Sequence, residues 1–256
     1  MAYQLINYEK KEKVARITLN VPPLNWITIS MLKEINDALV DVAKDQTAKI
    51  LIFDHAGEKA FSSGVDVADH TDDKVEEMIH TFHRAFRLMY EIDIPIVGLV
   101  NGVSLGGGCE LTSFCDIVLA SDRSRLGQPE IAVGVFPPVA AAWFSKIVGL
   151  KKTYELLFTG KMIGAQEAKE IGLVNAVFPA ASFREDVDKF LADILNKSRP
   201  ILIWSKRAIR ASLGVNFPDS LRSAEVLYLE GCMKAEDAKE GICAFMEKRK
   251  AVWKDK

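Results

Sequence analysis

Short runs rich in β-branched residues alternate along this chain with longer stretches whose apolar residues recur at helical spacing. The β-branched runs predict strands over residues 14–19, 49–53, 96–100, 117–120 and 173–177. The periodic stretches predict helices over residues 29–43, 73–92 and 139–148. Alternation of this kind is typical of an α/β fold.

The carboxy-terminal part of the chain has a different pattern. From about residue 181 the sequence offers only helical patterns, interrupted at Pro200 and again over residues 214–218. We therefore predict a core over residues 1–198 and a helical C-terminal region over residues 199–256. A helical tail on an α/β core often covers a site or joins subunits, so we expect this region to act in oligomerisation and site closure.

Composition excludes several classes of protein. With 49% hydrophobic and 27% charged residues, the chain has the composition of an ordinary globular protein. No apolar run reaches the roughly 18 residues of a membrane-spanning helix, and the first residues lack the apolar core of a signal peptide, so we expect a cytoplasmic protein without membrane partners. A net charge of −2 gives no reason to expect a nucleic-acid partner.

The cysteines and histidines do not predict a metal site. No two of the four cysteines have the Cys-x-x-Cys spacing of zinc or redox motifs. His80 and His83 could face the same way on a helix, but no further ligand is well placed beside them. We expect no metal.

Two glycine-containing segments carry the strongest chemical signal. Residues 105–110 read Leu-Gly-Gly-Gly-Cys-Glu, and residues 127–130 read Gly-Gln-Pro-Glu. Glycines let a backbone approach a ligand closely and direct its N–H groups toward a developing oxyanion. Glu110 and Glu130 could share general acid–base work. Cys109 could be a nucleophile, but no local histidine would lower its pKa, so a buried thiol is the better interpretation.

A third segment, Ala-Phe-Ser-Ser-Gly-Val-Asp-Val over residues 60–67, follows a predicted strand, and its glycine could orient the next N–H toward the same ligand. With these three segments in this order, nearly the whole chain resembles the crotonase superfamily, also called the enoyl-CoA hydratase/isomerase family. The resemblance implies a spiral of ββα turns and assembly as a homotrimer or a dimer of trimers. It also implies an acyl-CoA thioester as the substrate, so that coenzyme A arrives as part of the substrate and no separate cofactor is needed.

Site residues follow from the positions that match the family. The resemblance implies that the backbone N–H groups of Val65 and Gly107 form the oxyanion hole and that Glu110 and Glu130 are the catalytic pair. Further positions are implied to contact the substrate or its CoA moiety, and these are Ser63, Gly64, Asp66, Val67, Ala68, Gly106 and Gly108.

The presence of both glutamates favours hydration. Polarising the thioester carbonyl makes the distal alkene carbon electrophilic, and water can then add if one group takes its proton and another protonates the enolate carbon. A double-bond isomerase needs one base, and a CoA-thioester hydrolase directs water at the carbonyl itself. These enzymes and a non-catalytic acyl-CoA-binding protein are the alternatives. The run Gly106–Gly108 does not form a dinucleotide or nucleotide-triphosphate motif.

The chain departs from common family hydratases in two places. After Glu130, a glycine-rich stretch is replaced by Gly-Val-Phe-Pro-Pro-Val-Ala-Ala-Ala over residues 134–142, which makes this wall stiffer because proline fixes φ. With residues 66–70 and 224–230, this stretch resembles the branch containing cyclohexa-1,5-diene-1-carbonyl-CoA hydratases of anaerobic aromatic degradation. We therefore expect Phe136 and Pro137 to line a pocket shaped for a ring.

A lysine common after the oxyanion loop is also missing, since Ala68 and Asp69 occupy that region. The basic run at residues 248–250 is an alternative source of contacts to the CoA phosphates, although a solvated helix face explains each member as well. His70 follows closely and could contact the substrate, but with two carboxylates already available for proton transfer we leave it outside the catalytic set.

Overall fold

The alternation of strands and helices predicted for the first part of the chain is present in the computed structural model, which describes residues 3–71, 73–213, 231, 234–237, 240–241, 244 and 247–256. The strands are β1 Ile6–Lys11, β2 Val14–Leu19, β3 Ile50–His55, β4 Ala60–Ser62, β5 Ile96–Val100, β6 Val103–Leu105, β7 Ile117–Ser121, β8 Arg125–Gly127, β9 Met162–Gly164 and β10 Ala176–Phe178. The helices are α1 Ile29–Lys44, α2 Val75–Glu91, α3 Gly107–Ser113, α4 Pro138–Ile147, α5 Leu150–Thr159, α6 Ala165–Glu170, α7 Phe183–Leu195 and α8 Arg199–Ser212.

These strands form two sheets. The larger sheet has the order β1-β2-β3-β5-β7-β10, and all its neighbours are parallel except the β1–β2 hairpin. The smaller sheet has the order β4-β6-β8-β9, with β8 and β9 antiparallel. Strands β3 and β5 are buried along their whole length, as expected for parallel strands covered on both faces.

Successive strands pass from the larger sheet to the smaller one and then into a helix. This order recurs as β3, β4 and α2, then as β5, β6 and α3, and again as β7 and β8 followed by a short 3₁₀ helix, Pro129–Val133, and α4. The predicted α/β fold with a spiral of ββα turns is therefore confirmed.

The core of the larger unit includes α1 and α2, which pack against each other. Thr28 caps α1, its hydroxyl accepting the N–H of Met31 at 3.2 Å. The buried face of α1 carries Met31, Leu32, Ile35 and Leu39 at helical spacing. In α2 the corresponding residues are Met78, Phe82, Ala85, Phe86 and Met89. This packing fixes the position of α2, which contributes to the site described below.

One predicted strand is displaced. The run at residues 173–177 was expected to be a strand, but β10 begins only at Ala176, because Leu173 and Val174 lie in the turn that ends α6. The N–H groups of both residues donate to the carbonyl of Ala168, so they are not free to join the sheet. An apolar run alone does not distinguish a buried turn from a strand.

The chain divides into two compact units, one formed by Met1–Glu91 with Ile96–Asp188, the other by Ile92–Pro95 with Lys189–Lys256. In the smaller unit, α8 is tied to the segment Ile92–Pro95, since Lys206 Nζ donates to the carbonyl of Ile94 at 2.9 Å. Pro200 lies in the first turn of α8, where its missing N–H is tolerated, so the predicted interruption falls between α7 and α8. The predicted interruption over residues 214–218 lies outside the described residues.

None of the helices described for this chain combines the length and the apolar character that crossing a membrane requires.

Candidate active site

Three adjacent strands bring the three sequence segments together. Strands β4, β6 and β8 are parallel neighbours, so their carboxyl ends lie at the same edge of the smaller sheet. Leu105 at the end of β6 pairs with Gly127 at the end of β8, and the N–H of Gly106 donates to the carbonyl of Gly127 at 3.0 Å. The loops that leave this edge carry the residues of all three segments.

The loop after β4 presents the N–H of Val65. Gly64 has φ of +111°, and a Cβ at this position would lie 3.3 Å from the carbonyl oxygen of Leu105. Ile27 holds the loop, because its N–H donates to Gly64 O and its carbonyl accepts the N–H of Asp66, both at 3.0 Å. Within the described part of the chain, the N–H of Val65 has no acceptor.

The loop after β6 presents the N–H of Gly107. Gly106 has φ of +51°, and α3 begins at the next residue. A Cβ on Gly107 would lie 2.7 Å from Cγ2 of Val65, so the two residues are in direct contact. Among the residues that the structure describes, none accepts the N–H of Gly107. Two N–H groups without acceptors in the described part of the chain thus lie on neighbouring backbone segments that line one cavity.

Glu110 lies in the first turn of α3 and is only 2% exposed. Burial raises the pKa of its carboxyl group to about 8, and the charge of Glu130 acts in the same direction. The N–H of Ala140 donates to Glu110 Oε1 at 2.8 Å and partly offsets this rise. Glu110 therefore remains largely protonated at neutral pH.

Glu130 lies in the first turn of the 3₁₀ helix Pro129–Val133. Burial raises its pKa to about 7, while its own backbone N–H acts in the opposite direction. The charge of one glutamate raises the pKa of the other, so loss of the first proton from the pair makes loss of the second harder. Near neutral pH the pair therefore contains one carboxylate and one carboxylic acid, which a reaction with one proton donor and one acceptor requires.

Both glutamates line a cavity of about 630 Å³. Most of the predicted site residues also line it, namely Ser63, Gly64, Val65, Val67, Gly106, Gly107, Phe136 and Pro137. Phe136 is 67% exposed and lines the cavity, so its apolar ring is accessible to a ligand there.

Three predicted contact residues do not line this cavity. Asp66 caps a short 3₁₀ helix, Val67–Asp69, by accepting the N–H of Ala68 at 3.0 Å. Ala68 is exposed, and its carbonyl accepts Lys74 Nζ at 3.4 Å. Gly108 packs against Ser62, where a Cβ would lie only 2.7 Å from the serine Cβ. This close contact explains why residue 108 is a glycine without any contact to substrate.

The sequence did not identify one wall of the cavity. Val75, Met78, Ile79 and Phe82 of α2 line it, although their helical spacing indicated only core packing. His70 also lines it, and its Nδ1 lies 3.0 Å from the carbonyl oxygen of Asp66. The apolar stripe of α2 was a visible signal, but its position beside the oxyanion loop depends on the fold.

Gln128 lies within the Gly-Gln-Pro-Glu segment, but the sequence alone indicated no role for it in the site. It is completely buried between β8 and Glu130. Its side chain lies beside the Glu130 carboxylate and the Gly106 carbonyl.

The described residues support neither a nucleophilic thiol nor a metal site. Cys109 is fully buried, and burial raises the pKa of its thiol well above the usual range, which disfavours a nucleophilic thiolate. The described residues contain no cluster able to hold a metal ion, and His80 lies 3.7 Å from Glu76. Arg249, in the basic run at residues 248–250, is engaged by Glu240 at 2.6 Å and by Glu247 at 2.5 Å.

Comparison with known proteins gives a family match over most of the chain. A family model described as enoyl-CoA hydratase/isomerase matches residues 9–256. The chain is 35% identical over 256 residues to crotonyl-CoA hydratase of Syntrophomonas wolfei, covering 98% of each chain. It is 32% identical to short-chain-enoyl-CoA hydratase of Clostridium acetobutylicum, covering 94% of each. The crystal structure of enoyl-CoA hydratase from Bacillus anthracis superposes with a TM-score of 0.93 at 28% identity, over 99% of this chain and 100% of that one.

Proposed function

We propose, from the premise that this chain belongs to the enoyl-CoA hydratase/isomerase family, that it adds water across the conjugated double bond of an enoyl-CoA thioester. One observation carries this proposal. A single cavity is lined by two residues whose N–H groups lack acceptors in the described chain, Val65 and Gly107, and by the glutamates 110 and 130 with raised pKa. The two N–H groups can stabilise an oxyanion, and the two glutamates can accept and donate protons.

The mechanism follows from these groups. The thioester oxygen accepts the N–H groups of Val65 and Gly107, which stabilise the negative charge that develops as water attacks the distal alkene carbon. The ionised glutamate takes a proton from the attacking water, and the protonated glutamate donates a proton to the carbon next to the carbonyl. The product is a hydroxyacyl-CoA, and one water has been consumed. A final proton exchange between the two carboxyl groups restores the starting pair.

The acyl group of the substrate could be a linear short chain or a ring. The relatives reported above are named for crotonyl-CoA and for short-chain enoyl-CoA, which supports a linear short-chain substrate as the general alternative. For the finer proposal we retain a cyclic dienoyl-CoA, cyclohexa-1,5-diene-1-carbonyl-CoA. Its support is the cavity wall formed by Val135, Phe136, Pro137 and Pro138, where two prolines restrict the backbone and the phenyl ring offers a flat apolar face.

Mass spectrometry of products tests the reaction. The protein would be incubated with crotonyl-CoA and, separately, with cyclohexa-1,5-diene-1-carbonyl-CoA. The proposal predicts a product heavier by one water with at least one of them. Free CoA without a hydrated thioester would instead indicate a hydrolase. A product of unchanged mass would indicate an isomerase, and recovery of bound but unaltered thioester would indicate an acyl-CoA-binding protein.

The Phe136→Ala variant tests the ring-shaped pocket. We expect it to lower kcat/KM for the cyclic substrate more than for crotonyl-CoA, because only the ring would lose a flat packing surface. Tyr90→Ala is the control, since Tyr90 is also an exposed aromatic residue but does not line the cavity. An unchanged preference in Phe136→Ala would contradict the proposal of a cyclic substrate.

We further propose that the chain forms a homotrimer or a dimer of trimers, with the region 199–256 acting in assembly and site closure. An exposed apolar face supports assembly, because Leu150, Tyr154 and Phe158 follow one another at helical spacing on α5. Sedimentation equilibrium of the protein and of a Tyr154→Lys/Phe158→Lys variant would test this. A wild-type monomer would contradict the proposed assembly.

A further inference from the structure

Gln128 has an environment that assigns the orientation of its side-chain amide. The residue is 0% exposed, and a buried amide requires hydrogen-bond partners for its polar atoms. One end of the amide faces three acceptor atoms, Gly106 O at 3.3 Å and both carboxylate oxygens of Glu130 at 3.2 Å, while the other end faces only donors. An oxygen facing these acceptors would have no proton to offer, whereas an NH₂ group has two. The amide nitrogen therefore faces Glu130 and Gly106.

This amide connects two parts of the site. The carbonyl of Gly106 also accepts the backbone N–H of Glu110 at 2.8 Å, and the N–H of Gly106 donates to Gly127 at 3.0 Å. The Gly106 carbonyl and the N–H of Gly107 belong to the same peptide group. The Gln128 amide thus links the Glu130 carboxylate to the peptide that presents one proposed oxyanion donor.

The orientation of the amide also distinguishes the two protonation states of Glu130. An ionised Glu130 carboxylate accepts the N–H groups of Gln128. A protonated Glu130 carboxyl group has fewer acceptor sites, and its O–H points a second donor at the NH₂ group of Gln128. The amide does not readily turn to accommodate that proton, because its oxygen would then face the Gly106 carbonyl.

We propose that Gln128 is a positioning residue, whose NH₂ group aligns the Glu130 carboxylate with the Gly106–Gly107 peptide and favours the ionised form of Glu130. The effect of Gln128 on catalysis rests on the proposed hydratase function. The effect of Gln128 on the ionisation of Glu130 does not, because the hydrogen bonds between the two residues are present without substrate.

Few other titratable groups act on Glu130 within the described residues. Electrostatic interactions connect it with Glu110 on α3 and with the buried thiol of Cys109 on the same helix. Burial raises the pKa of the Cys109 thiol well above its usual range, so the thiol stays neutral while Glu130 titrates, and a Glu110→Gln background removes the charge of the other group. Helix α5 packs against the 3₁₀ helix of Glu130, but none of its charged side chains contributes to the pKa shift of this carboxyl group. A shift caused by Gln128 would therefore be measurable.

The direct test is the titration of Glu130 by carbon-13 NMR in protein labelled at glutamate carboxyl carbons. Measurements in a Glu110→Gln background remove the coupled partner, and the Glu130→Gln spectrum assigns the signal. Gln128→Met keeps the approximate length of the side chain but has no N–H donor. Hydrogen bonds to a charged group contribute enough that their loss should raise the Glu130 pKa by roughly one to two units.

Two further variants complete the experiment. Gln128→Leu also lacks an N–H donor and adds no charge, so the Glu130 titration should again move upward, and this variant provides the result if Gln128→Met does not fold. Gln166→Met is the control, because Gln166 is exposed on α6 and bonds only to Glu170 at 3.4 Å among the described residues. An unchanged Glu130 titration in a folded Gln128 variant would overturn the proposal.

Kinetics provide a second readout. For a protein active on crotonyl-CoA, Gln128→Met should lower kcat more than it raises KM, and the limb of the pH profile due to Glu130 should move to higher pH. A purely structural role for Gln128 would lower activity without moving that limb. If the wild-type protein hydrates neither substrate while the NMR titration shifts as expected, the proposed function fails and the inference about Gln128 stands.

Discussion

Replacing Gly106 by alanine should disable proton transfer by displacing one specific carboxylate. A Cβ at this position would lie 2.7 Å from Oε1 of Glu130 and 3.4 Å from its Cδ, with the former distance shorter than side chains tolerate. Gly106 also has φ of +51° and ψ of −129°, a conformation that residues with a Cβ rarely adopt. The substitution therefore combines backbone strain with a collision at the reacting group.

The two effects have different magnitudes and different readouts. Backbone strain of this kind is worth of order 1–3 kcal/mol and should appear in the free energy of unfolding. Displacement of Glu130 removes a general acid–base contribution of about 10²–10⁴ in kcat, equivalent to about 2.7–5.4 kcal/mol in the activation barrier. Activity should therefore fall far more than fold stability alone can explain.

Gly149→Ala separates these effects. Gly149 has φ of +77° and ψ of 159°, and a Cβ there would meet nothing within 4 Å. Both variants should lose stability in chemical denaturation, but only Gly106→Ala should lose kcat, measured through the ultraviolet absorbance of the conjugated thioester. If Gly106→Ala retains a kcat no lower than that of Gly149→Ala, the arrangement of Gly106 and Glu130 described here is wrong.

Three further predictions follow from the pKa values and burial of the site residues. Because the site needs one carboxylate and one carboxylic acid, kcat/KM for hydration should rise as the pair loses its first proton and fall as it loses its second, with both apparent pKa values raised above the ordinary 4.5 of glutamate; a profile that is flat from pH 6 to 9 would contradict this. Since the folded pKa of Glu110 is raised from 4.5 to about 8, its contribution to stability is fully present below pH 4.5 and is lost as pH rises through 8; Glu110→Gln should flatten this dependence and unfold at a higher denaturant concentration than wild type at pH 9. Cys109 is buried and its thiol stays protonated, so iodoacetamide should not inactivate the folded protein, and Cys109→Ala should keep most of the activity in the same absorbance assay; rapid inactivation by alkylation at Cys109 would show an accessible thiolate.

Sequence patterns predicted the larger sheet better than the smaller one. Strands such as β3 and β5 are long apolar runs buried on both faces, and this produces a clear signal. Strands β4, β6 and β8 each have only three residues, which is too short for a periodic pattern. These short strands nevertheless bring the three motif segments to one edge, so the sequence motifs gave candidate site residues without showing how they meet.

The remaining site residues depended on spatial context. Met78 and Phe82 have the spacing of core residues, and only the packing of α2 beside the oxyanion loop makes them part of the cavity. The role proposed for Gln128 depends on three acceptor atoms from two chain segments. Conversely, Gly108 lies in the most informative motif, but its contact with Ser62 gives it a packing role. The residue types in the motifs suggested acid–base chemistry and an oxyanion hole, but only the positions of the residues in the fold show which of them line the cavity.

The position of the oxygen added to the substrate distinguishes hydration of the alkene from hydrolysis of the thioester. The reaction would be run in water enriched in the heavy oxygen isotope, with wild-type protein and with the Glu110→Gln and Glu130→Gln variants, and the intact thioester and any free acid would be analysed separately by mass spectrometry. Hydration by the two glutamates predicts heavy oxygen in the hydroxyl group of an intact acyl-CoA for the wild type, with strongly reduced incorporation in both variants. Heavy oxygen in a released carboxylic acid, or undiminished hydration without either glutamate, would contradict it.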